Sequence, residues 1–154
     1  MELMVGTILS SILLIGFTLL GSGIWGQDDG GWDRFLLFNH SQGSGLSNGI
    51  GINNLGEVDG DEVMFSAGDA FADAIYHQGT ARGDKSVKLH SDGGNIKVSG
   101  KIEVSGDDGG GRIEIGGTDK GGGTVPRAQN VSIFEAAVLD ASARSHGDGG
   151  DVVI

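Results

Sequence analysis

The stretch "DGGNIKVSGKIEVSGDDGGGRIEIGG", residues 92–117, repeats one short phrase three times between glycines. In each copy, aliphatic residues alternate with polar or charged ones: Asn-Ile-Lys-Val, Lys-Ile-Glu-Val and Arg-Ile-Glu-Ile. Strict alternation over four residues is typical of a half-buried β-strand. The pattern predicts that Ile96 and Val98 share a buried face, whereas Lys97 and Ser99 lie on the opposite face.

The spacing of these phrases predicts that short strands stack on one another. Similar glycine-bounded runs occur at residues 56–71 and 147–154. The phrase that begins at Gly93 returns at Gly110, 17 residues later. A turn of roughly 17 to 20 residues suits a parallel β-helix with two or three short faces. Glycine would supply the positive-φ corners between strands. A hairpin-built sandwich is the alternative, and "SNGIG" (47–51) is the one place that suits its tight turn.

Two segments depart from this rhythm. Residues 66–79 have apolar residues at near-helical spacing, but a strand pair fits their neighbours better than a helical turn. Residues 131–143 lie in the longest run without glycine, and their alternation predicts two strands with a kink near Glu135 and Ala136. A helix over 133–143 is the alternative for that run.

The first 25 residues form a separate apolar segment, because Leu3–Trp25 carries no charge and is long enough to cross a bilayer. Its glycines, serines and threonines, and the lack of any basic residue before Arg34, weaken both a membrane anchor and a secretory signal. Buried strands explain the segment equally well. The expected organisation is an apolar segment at 1–25 and a β-solenoid at 26–154.

Composition excludes several classes of protein. The chain has 31 glycines, one proline and 38% hydrophobic residues, without a Gly-X-Y period, which excludes collagen and argues against a disordered linker. Its net charge of -11, with no basic patch, makes nucleic acid an unsuitable partner. The absence of cysteine removes disulfides, thiol catalysis and cysteine-ligated zinc.

The sequence predicts no catalytic residue, no cofactor and no metal site. The four histidines lack any metal-binding spacing and are expected in exposed loops: His40, His77, His90 and His146. The grouped acids adjoin glycines at predicted corners, where aspartate commonly caps a turn: Asp28 with Asp29, Asp107 with Asp108, and Asp59 with Asp61 and Glu62. Ser44 in "GSGLS" does not match a nucleophile elbow, and no repeat has the calcium-binding pattern.

Residues 116–154, "GGTDKGGGTVPRAQNVSIFEAAVLDASARSHGDGGDVVI", resemble the repeat region of filamentous-haemagglutinin-like adhesins, the two-partner-secretion exoproteins of Gram-negative bacteria. The matching phrases are residues 121–129, "LDASA" at 139–143 and "GDGGDVVI" at 147–154. "GDEVMFSAGDAF" at 60–71 is similar to other rungs of the same proteins.

The resemblance implies an all-β, right-handed parallel β-helix that is secreted through an outer-membrane transporter. It also implies a location at the cell surface and adhesion to host or bacterial surface receptors or glycans. The chain departs from the family in lacking an Asn-Pro-Asn-Gly-type secretion signature, since its only proline is Pro126. We therefore expect a fragment of a longer exoprotein. The strand-like ending at 151–154 predicts either truncation or end-to-end stacking on a second copy.

Three functions compete on this basis. The first is a non-enzymatic adhesin segment that acts as a stalk for contact. The second is a carbohydrate-active β-helix enzyme or polysaccharide-binding module, which a cluster of Asp, Arg and Lys on consecutive rungs would favour. Arg82, Lys85 and Lys88 lie close in sequence, but Lys88 alternates outward as an ordinary solvated face. The third is a small membrane-anchored structural protein that uses residues 3–25.

Overall fold

The computed structural model describes residues 22–28, 32–39, 47–68, 71–121 and 124–154. The predictions made for residues 1–21, and for Asp29, His40 and Ser44, lie outside the described residues. None of the described residues belongs to an apolar helix long enough to cross a bilayer.

The described residues form twelve β-strands and one 3-10 turn, Asp119–Gly121. The strands are β1 (Ser22–Asp28), β2 (Trp32–Asn39), β3 (Ser47–Asn54), β4 (Glu57–Ala67), β5 (Phe71–His77), β6 (Thr80–Ser91), β7 (Asn95–Val98), β8 (Lys101–Glu103), β9 (Arg112–Ile115), β10 (Asn130–Ile133), β11 (Val138–Asp140) and β12 (Asp151–Val153).

These strands belong to two sheets. The larger, eight-stranded sheet has the order β1-β2-β4-β6-β8-β11, and β9 joins β6 to β12. The smaller, four-stranded sheet has the order β10-β7-β5-β3. Each pair in the smaller sheet is parallel, whereas the larger sheet combines the antiparallel pair β1–β2 with parallel pairs.

The core lies between the sheets and consists of aliphatic columns that run across paired strands. In the larger sheet Val63 lies opposite Val87, and Val87 lies opposite Ile113, with each side chain no more than 1% exposed. In the smaller sheet Ile75 lies opposite Ile96, and both are fully buried. Burial of apolar surface is the main stabilising contribution of such columns, at about 25 cal/mol per Å².

The predicted right-handed parallel β-helix is wrong. The structure is a mixed arrangement of two sheets, one of them curled into a half-barrel. Two findings overturn the prediction: β1 runs antiparallel to β2, and the sequence distance between partners is not constant. That distance is 21 residues for Arg82 and Glu103, 24 for Asp73 and Lys97, and 39 for Arg112 and Asp151.

The physical reason lies in the segments between the strands. The long strand β6 pairs along its first half with β8 and along its second half with β9, because residues 104–111 interrupt the next layer. The layer formed by β10, β11 and β12 is longer in sequence, because residues 116–129 precede β10 and residues 141–150 separate β11 from β12. A turn of constant length, inferred from the phrases at Gly93 and Gly110, therefore does not exist.

Several local predictions are confirmed. Ile96 and Val98 are fully buried, and Lys97 between them is not. Residues 131–143 contain β10 and β11, with the break at Glu135 and Ala136, so the alternative helix is excluded. "SNGIG" is not a hairpin turn, because it lies within β3, which pairs in parallel with β5.

Glycines at one corner pack backbone against backbone. A Cβ added to Gly79 would overlap the carbonyl oxygen of Gly56, and one added to Gly100 would overlap that of Gly79. The corner between β6 and β7 instead has the positive-φ glycines that the sequence predicts, since Gly93 and Gly94 have φ of 80° and 67°. Glycine therefore serves both close approach and positive φ in this fold.

Candidate functional site

Glu103 on β8 is the centre of the densest group of polar contacts among the described residues, which we call the Glu103 cluster: Arg82, Lys101, Glu103, Ser105 and Arg144. The side chain of Glu103 is 13% exposed. Its carboxylate lies 2.7 Å from Nζ of Lys101, 2.8 Å from Nη2 of Arg144 and 3.4 Å from Nε of Arg82. The hydroxyl of Ser105 donates a hydrogen bond of 3.0 Å to it.

These donors hold Glu103 as a carboxylate. The hydrogen bond from Lys101, followed by that from Ser105, lowers the pKa of Glu103 to about 2. A carboxylate so strongly stabilised is a poor proton acceptor at neutral pH. The cluster is therefore well suited to joining three layers of chain, because Arg82 and Arg144 come from segments on either side of β8.

Asp59 on β4 belongs to the same row of outward-facing side chains as Arg82 and Glu103. It lies opposite Arg82, which lies opposite Glu103, and Nη1 of Arg82 is 3.6 Å from the carboxylate of Asp59. Burial, and then the negative charges of Asp84 and Glu103, raise the pKa of Asp59. The row thus places two carboxylates with opposite pKa shifts on either side of one guanidinium.

Sequence reasoning missed this cluster. It placed Asp59, Asp61 and Glu62 at a corner, but they lie within β4, beside a register shift between Gly60 and Glu62. It grouped Arg82 with Lys85, but Lys85 pairs with Asp61, at 2.7 Å, and Arg82 with Glu57, Asp59 and Glu103. The acids on β4 and bases on β6 were a usable signal, whereas Arg144 lies 41 residues from Glu103 and gives no local pattern.

The prediction that the histidines lie in exposed loops is wrong for His77 and His90. His77 is fully buried and its ring packs 5.8 Å from that of Phe65. Its Nε2 donates to the carbonyl oxygen of Lys101 at 3.0 Å, so its Nδ1 accepts the amide hydrogen of Asn54, also at 3.0 Å. Burial lowers the pKa of His77, and the imidazole is neutral.

His90 lies in a second buried polar contact. Its Nε2 is 3.4 Å from the carboxylate of Glu114, and both side chains are less than 10% exposed. Burial lowers the pKa of His90, although Glu114 opposes that effect. Arg112 donates to the other oxygen of Glu114 at 2.7 Å. His146 is exposed, as predicted.

The outward face of the smaller sheet carries a row of polar contacts. Lys97 lies 2.7 Å from the carboxylate of Asp73, and Asn95 donates to the same carboxylate at 3.3 Å. Asn130 continues the row by donating to Asn95 at 2.9 Å. These contacts connect β5, β7 and β10, so they reinforce the parallel pairing of the sheet.

A third feature is the edge formed by the outer sides of β10, β11 and β12, which we call the terminal edge. No described strand pairs with that side. Among the residues whose burial the structure describes, seven large hydrophobic side chains are exposed, and five of them lie on or directly beside this edge: Ile133, Phe134, Val138, Val152 and Ile154. Ile133 lies opposite the fully buried Val98, and Val152 lies opposite the fully buried Ile113.

The described residues contain no group of three or more histidine, aspartate or glutamate side chains placed to hold an ion. Comparison with protein-family models, with curated proteins and with solved structures found no match to this chain.

Proposed function

We propose that this chain is a contact-forming segment of a secreted or cell-surface adhesin, and that it acts by binding rather than by catalysis. One observation supports this most directly. From β4 onward the strand pairs are parallel, so outward residues form rows that run across successive strands. Neighbouring strands are about 4.8 Å apart, and such rows present a regular surface that suits extended contact.

The polar contacts described above suit such a role. Asp73 with Lys97, and Glu103 with its three cations, hold neighbouring strands together and keep the outer surface rigid. A rigid surface loses little conformational entropy on binding. The partners that we propose are receptors or glycans on host or bacterial cells.

The test is adhesion of coated beads. Fluorescent beads coated with the purified chain are expected to bind cultured epithelial cells or Gram-negative bacteria severalfold better than beads coated with albumin. Treating the cells with periodate or with protease then separates a glycan from a protein receptor. Binding no better than albumin on every cell type would refute the proposal.

A second candidate function, hydrolysis of a polysaccharide, is favoured by the row Asp59–Arg82–Glu103. Glycoside hydrolysis uses a protonated acid and an ionised carboxylate on either side of the bond, and here the pKa of Asp59 is raised while that of Glu103 is lowered. This candidate predicts release of reducing ends from a panel of polysaccharides, and loss of that release in Asp59→Asn. Equal release by the variant, or none by the unmodified chain, would exclude it.

A further inference from the structure

The outward face of the smaller sheet carries an aromatic side chain among amides and one ion pair. Tyr76 on β5 lies opposite Asn53 on β3 and Lys97 on β7. Its ring contacts that of Phe134, with 6.3 Å between the ring centroids, and Phe134 is 44% exposed. Tyr76 and Lys97 are each flanked by buried residues that face the core, so both side chains point away from it. Further strands added at either edge of this sheet would leave its face uncovered.

Contacts between neighbouring strands hold the polar groups of this face in position. Lys97 and Asn95 both contact the Asp73 carboxylate, at 2.7 and 3.3 Å. Gln78 donates to the side-chain oxygen of Asn53 at 2.8 Å. An amide carries two N–H donors and an oxygen with two lone pairs, so each of these contacts leaves the amide with further donors and acceptors. The face therefore offers oriented hydrogen-bonding groups beside an aromatic ring.

Charge and area select among the possible ligands of this face. Lys97 and Asp73 neutralise each other, so the face attracts neither a phosphate group nor a polycation, and the net charge of -11 repels polyanions. Four strands about 4.8 Å apart and three rows of side chains about 7 Å apart cover roughly 14 by 14 Å, or about 200 Å². A stable protein–protein interface needs about 800 Å² on each partner. The face is therefore too small for a protein partner and suits a short stretch of a neutral chain.

A neutral sugar chain matches these groups. Each sugar hydroxyl both donates and accepts hydrogen bonds, as the amides do. The C–H faces of a pyranose ring are apolar and pack on an aromatic ring, whose face carries negative partial charge.

We propose that the outward face of the smaller sheet binds a linear neutral glycan whose hydroxyls are equatorial. One sugar ring stacks on Tyr76, and its hydroxyls bond to Lys97 and Asn95. This inference rests on the proposed binding function, and it names the class of ligand and the surface that takes it.

The probe is cellotetraose, a neutral β-1,4-linked oligosaccharide with equatorial hydroxyls, added to the full ¹⁵N-labelled chain. Amide signals of β5 and β7 are expected to shift and to saturate at millimolar concentration, while those of β4 and β6 in the larger sheet stay in place. The matched control is cellotetraose oxidised at C6, which has a carboxylate on each sugar. It is expected to bind at least about fivefold more weakly, because the chain is acidic.

Two pairs of variants localise the binding. Tyr76→Ala should weaken the binding of cellotetraose about fivefold or more, whereas Tyr76→Phe keeps the ring and should weaken it less than about threefold. Lys97→Ala should weaken it about fivefold, because it removes a donor and frees the Asp73 carboxylate. Lys85→Ala breaks an ion pair of the same 2.7 Å length on the larger sheet and should change affinity by less than about twofold. Circular dichroism checks each fold, and if Tyr76→Ala does not fold, the two lysine variants decide.

The proposal is overturned if no signal of β5 or β7 shifts, if the shifts map to the larger sheet, or if the neutral and acidic oligosaccharides bind equally. It is also overturned if Tyr76→Ala and Lys97→Ala bind as the unmodified chain does. The proposed adhesion fails separately, because beads that bind no cells would refute it even where cellotetraose binds in solution. Cell binding by the beads without any binding of cellotetraose would leave adhesion standing and overturn the assignment of this face.

Discussion

At the scale of single residues, Glu103 shows how one carboxylate joins three layers of chain. Lys101 lies on the same strand, Arg82 comes from β6, and Arg144 follows β11. Because the carboxylate is only 13% exposed, solvent screens these contacts less than it screens a surface ion pair. A change at this one position should therefore alter the stability of the whole stack.

The first prediction is that Glu103→Gln lowers the free energy of unfolding by about 1.5 to 3 kcal/mol at pH 7, the range for hydrogen bonds to a charged group. The loss arises because three cations lose their common partner. Asp108→Asn, at an exposed bend, is the matched control and should change stability by less than about 0.5 kcal/mol. Urea unfolding measures both.

This prediction has a defined pH dependence. The folded pKa of Glu103 is about 2, below its ordinary value of 4.5, so its contribution is fully present above pH 4.5 and is lost as the pH falls toward 2. The difference between the unmodified chain and Glu103→Gln should shrink over that window. If the difference in free energy of unfolding stays constant from pH 7 to pH 2, the loss in Glu103→Gln comes from the changed shape of the side chain and not from its lost charge.

The second prediction concerns His77 and acid. Its folded pKa lies below 6.5, so the unfolded chain takes up the proton first as the pH falls through that value. The free energy of unfolding should therefore decrease below pH 6.5, by up to about 1.4 kcal/mol per pH unit for one proton. Protonated Nδ1 would also face the amide donor of Asn54.

The measurement is urea unfolding between pH 7.5 and 5.5. His77→Asn should flatten the slope of stability against pH, although His90, which is also buried and shifted in the same direction, retains part of it. His146→Asn, at an exposed position, should keep the slope of the unmodified chain. An unchanged slope in His77→Asn would show that this imidazole does not titrate differently on unfolding.

At the scale of strands and corners, the third prediction tests close backbone approach. Gly100→Ala should destabilise the chain by about 3 kcal/mol or more, because its Cβ would overlap the carbonyl oxygen of Gly79 and the strands would have to separate. At Gly117 the nearest atom to an added Cβ is Cγ of Arg127 at 3.5 Å, so Gly117→Ala should be nearly neutral. Thermal unfolding of the two variants measures this difference in stability, and equal melting temperatures would contradict the prediction.

The fourth prediction compares the substitution of valine by alanine at a buried position and at an exposed one. Val63→Ala should cost about 2 kcal/mol, since it removes two methyl equivalents from a side chain that is 1% exposed and leaves a cavity. Val152→Ala should cost less than about 1 kcal/mol, since that side chain is 45% exposed. Similar losses for both would mean that something covers the terminal edge in solution.

Sequence reasoning worked best at this scale. Alternation identified the strand at residues 95–98 and the break near Glu135, because burial on one face leaves a period of two in the chain itself. The pairing of the strands could not be predicted from alternation in this way. Whether β6 pairs with β8 or β9 depends on the length of the segment between them, and the antiparallel β1–β2 pair has no corresponding motif.

The Glu103 cluster was hidden for a related reason. Its members come from three layers, and only Lys101 and Ser105 are close to Glu103 in sequence. His77 could not be identified as buried either, because its partners, Asn54 and the Lys101 carbonyl, lie 23 and 24 residues away. A local pattern predicts which face of the sheet a residue occupies, but it does not predict which residue of another strand contacts it.

At the scale of the whole molecule, the described strands differ in how many neighbours support them. In the middle of the stack, β6 pairs with β4 on one side and with β8 and β9 on the other, and β7 lies between β5 and β10. The strands β10, β11 and β12 pair on one side only within the described residues. Local opening should therefore start at the edges of the sheets, and the terminal edge is one of them, since fewer buried contacts oppose opening there.

The fifth prediction follows from this gradient. Native-state hydrogen exchange should be slowest for paired amides in β6 and β7, whose exchange requires unfolding of the entire stack. It should be faster by about 100-fold or more in β12, which corresponds to a difference in opening free energy of about 3 kcal/mol or more. Uniform protection from β6 to β12 would instead mean that the described layers open as one cooperative unit, and that the exposed apolar edge is as stable as the core beneath it.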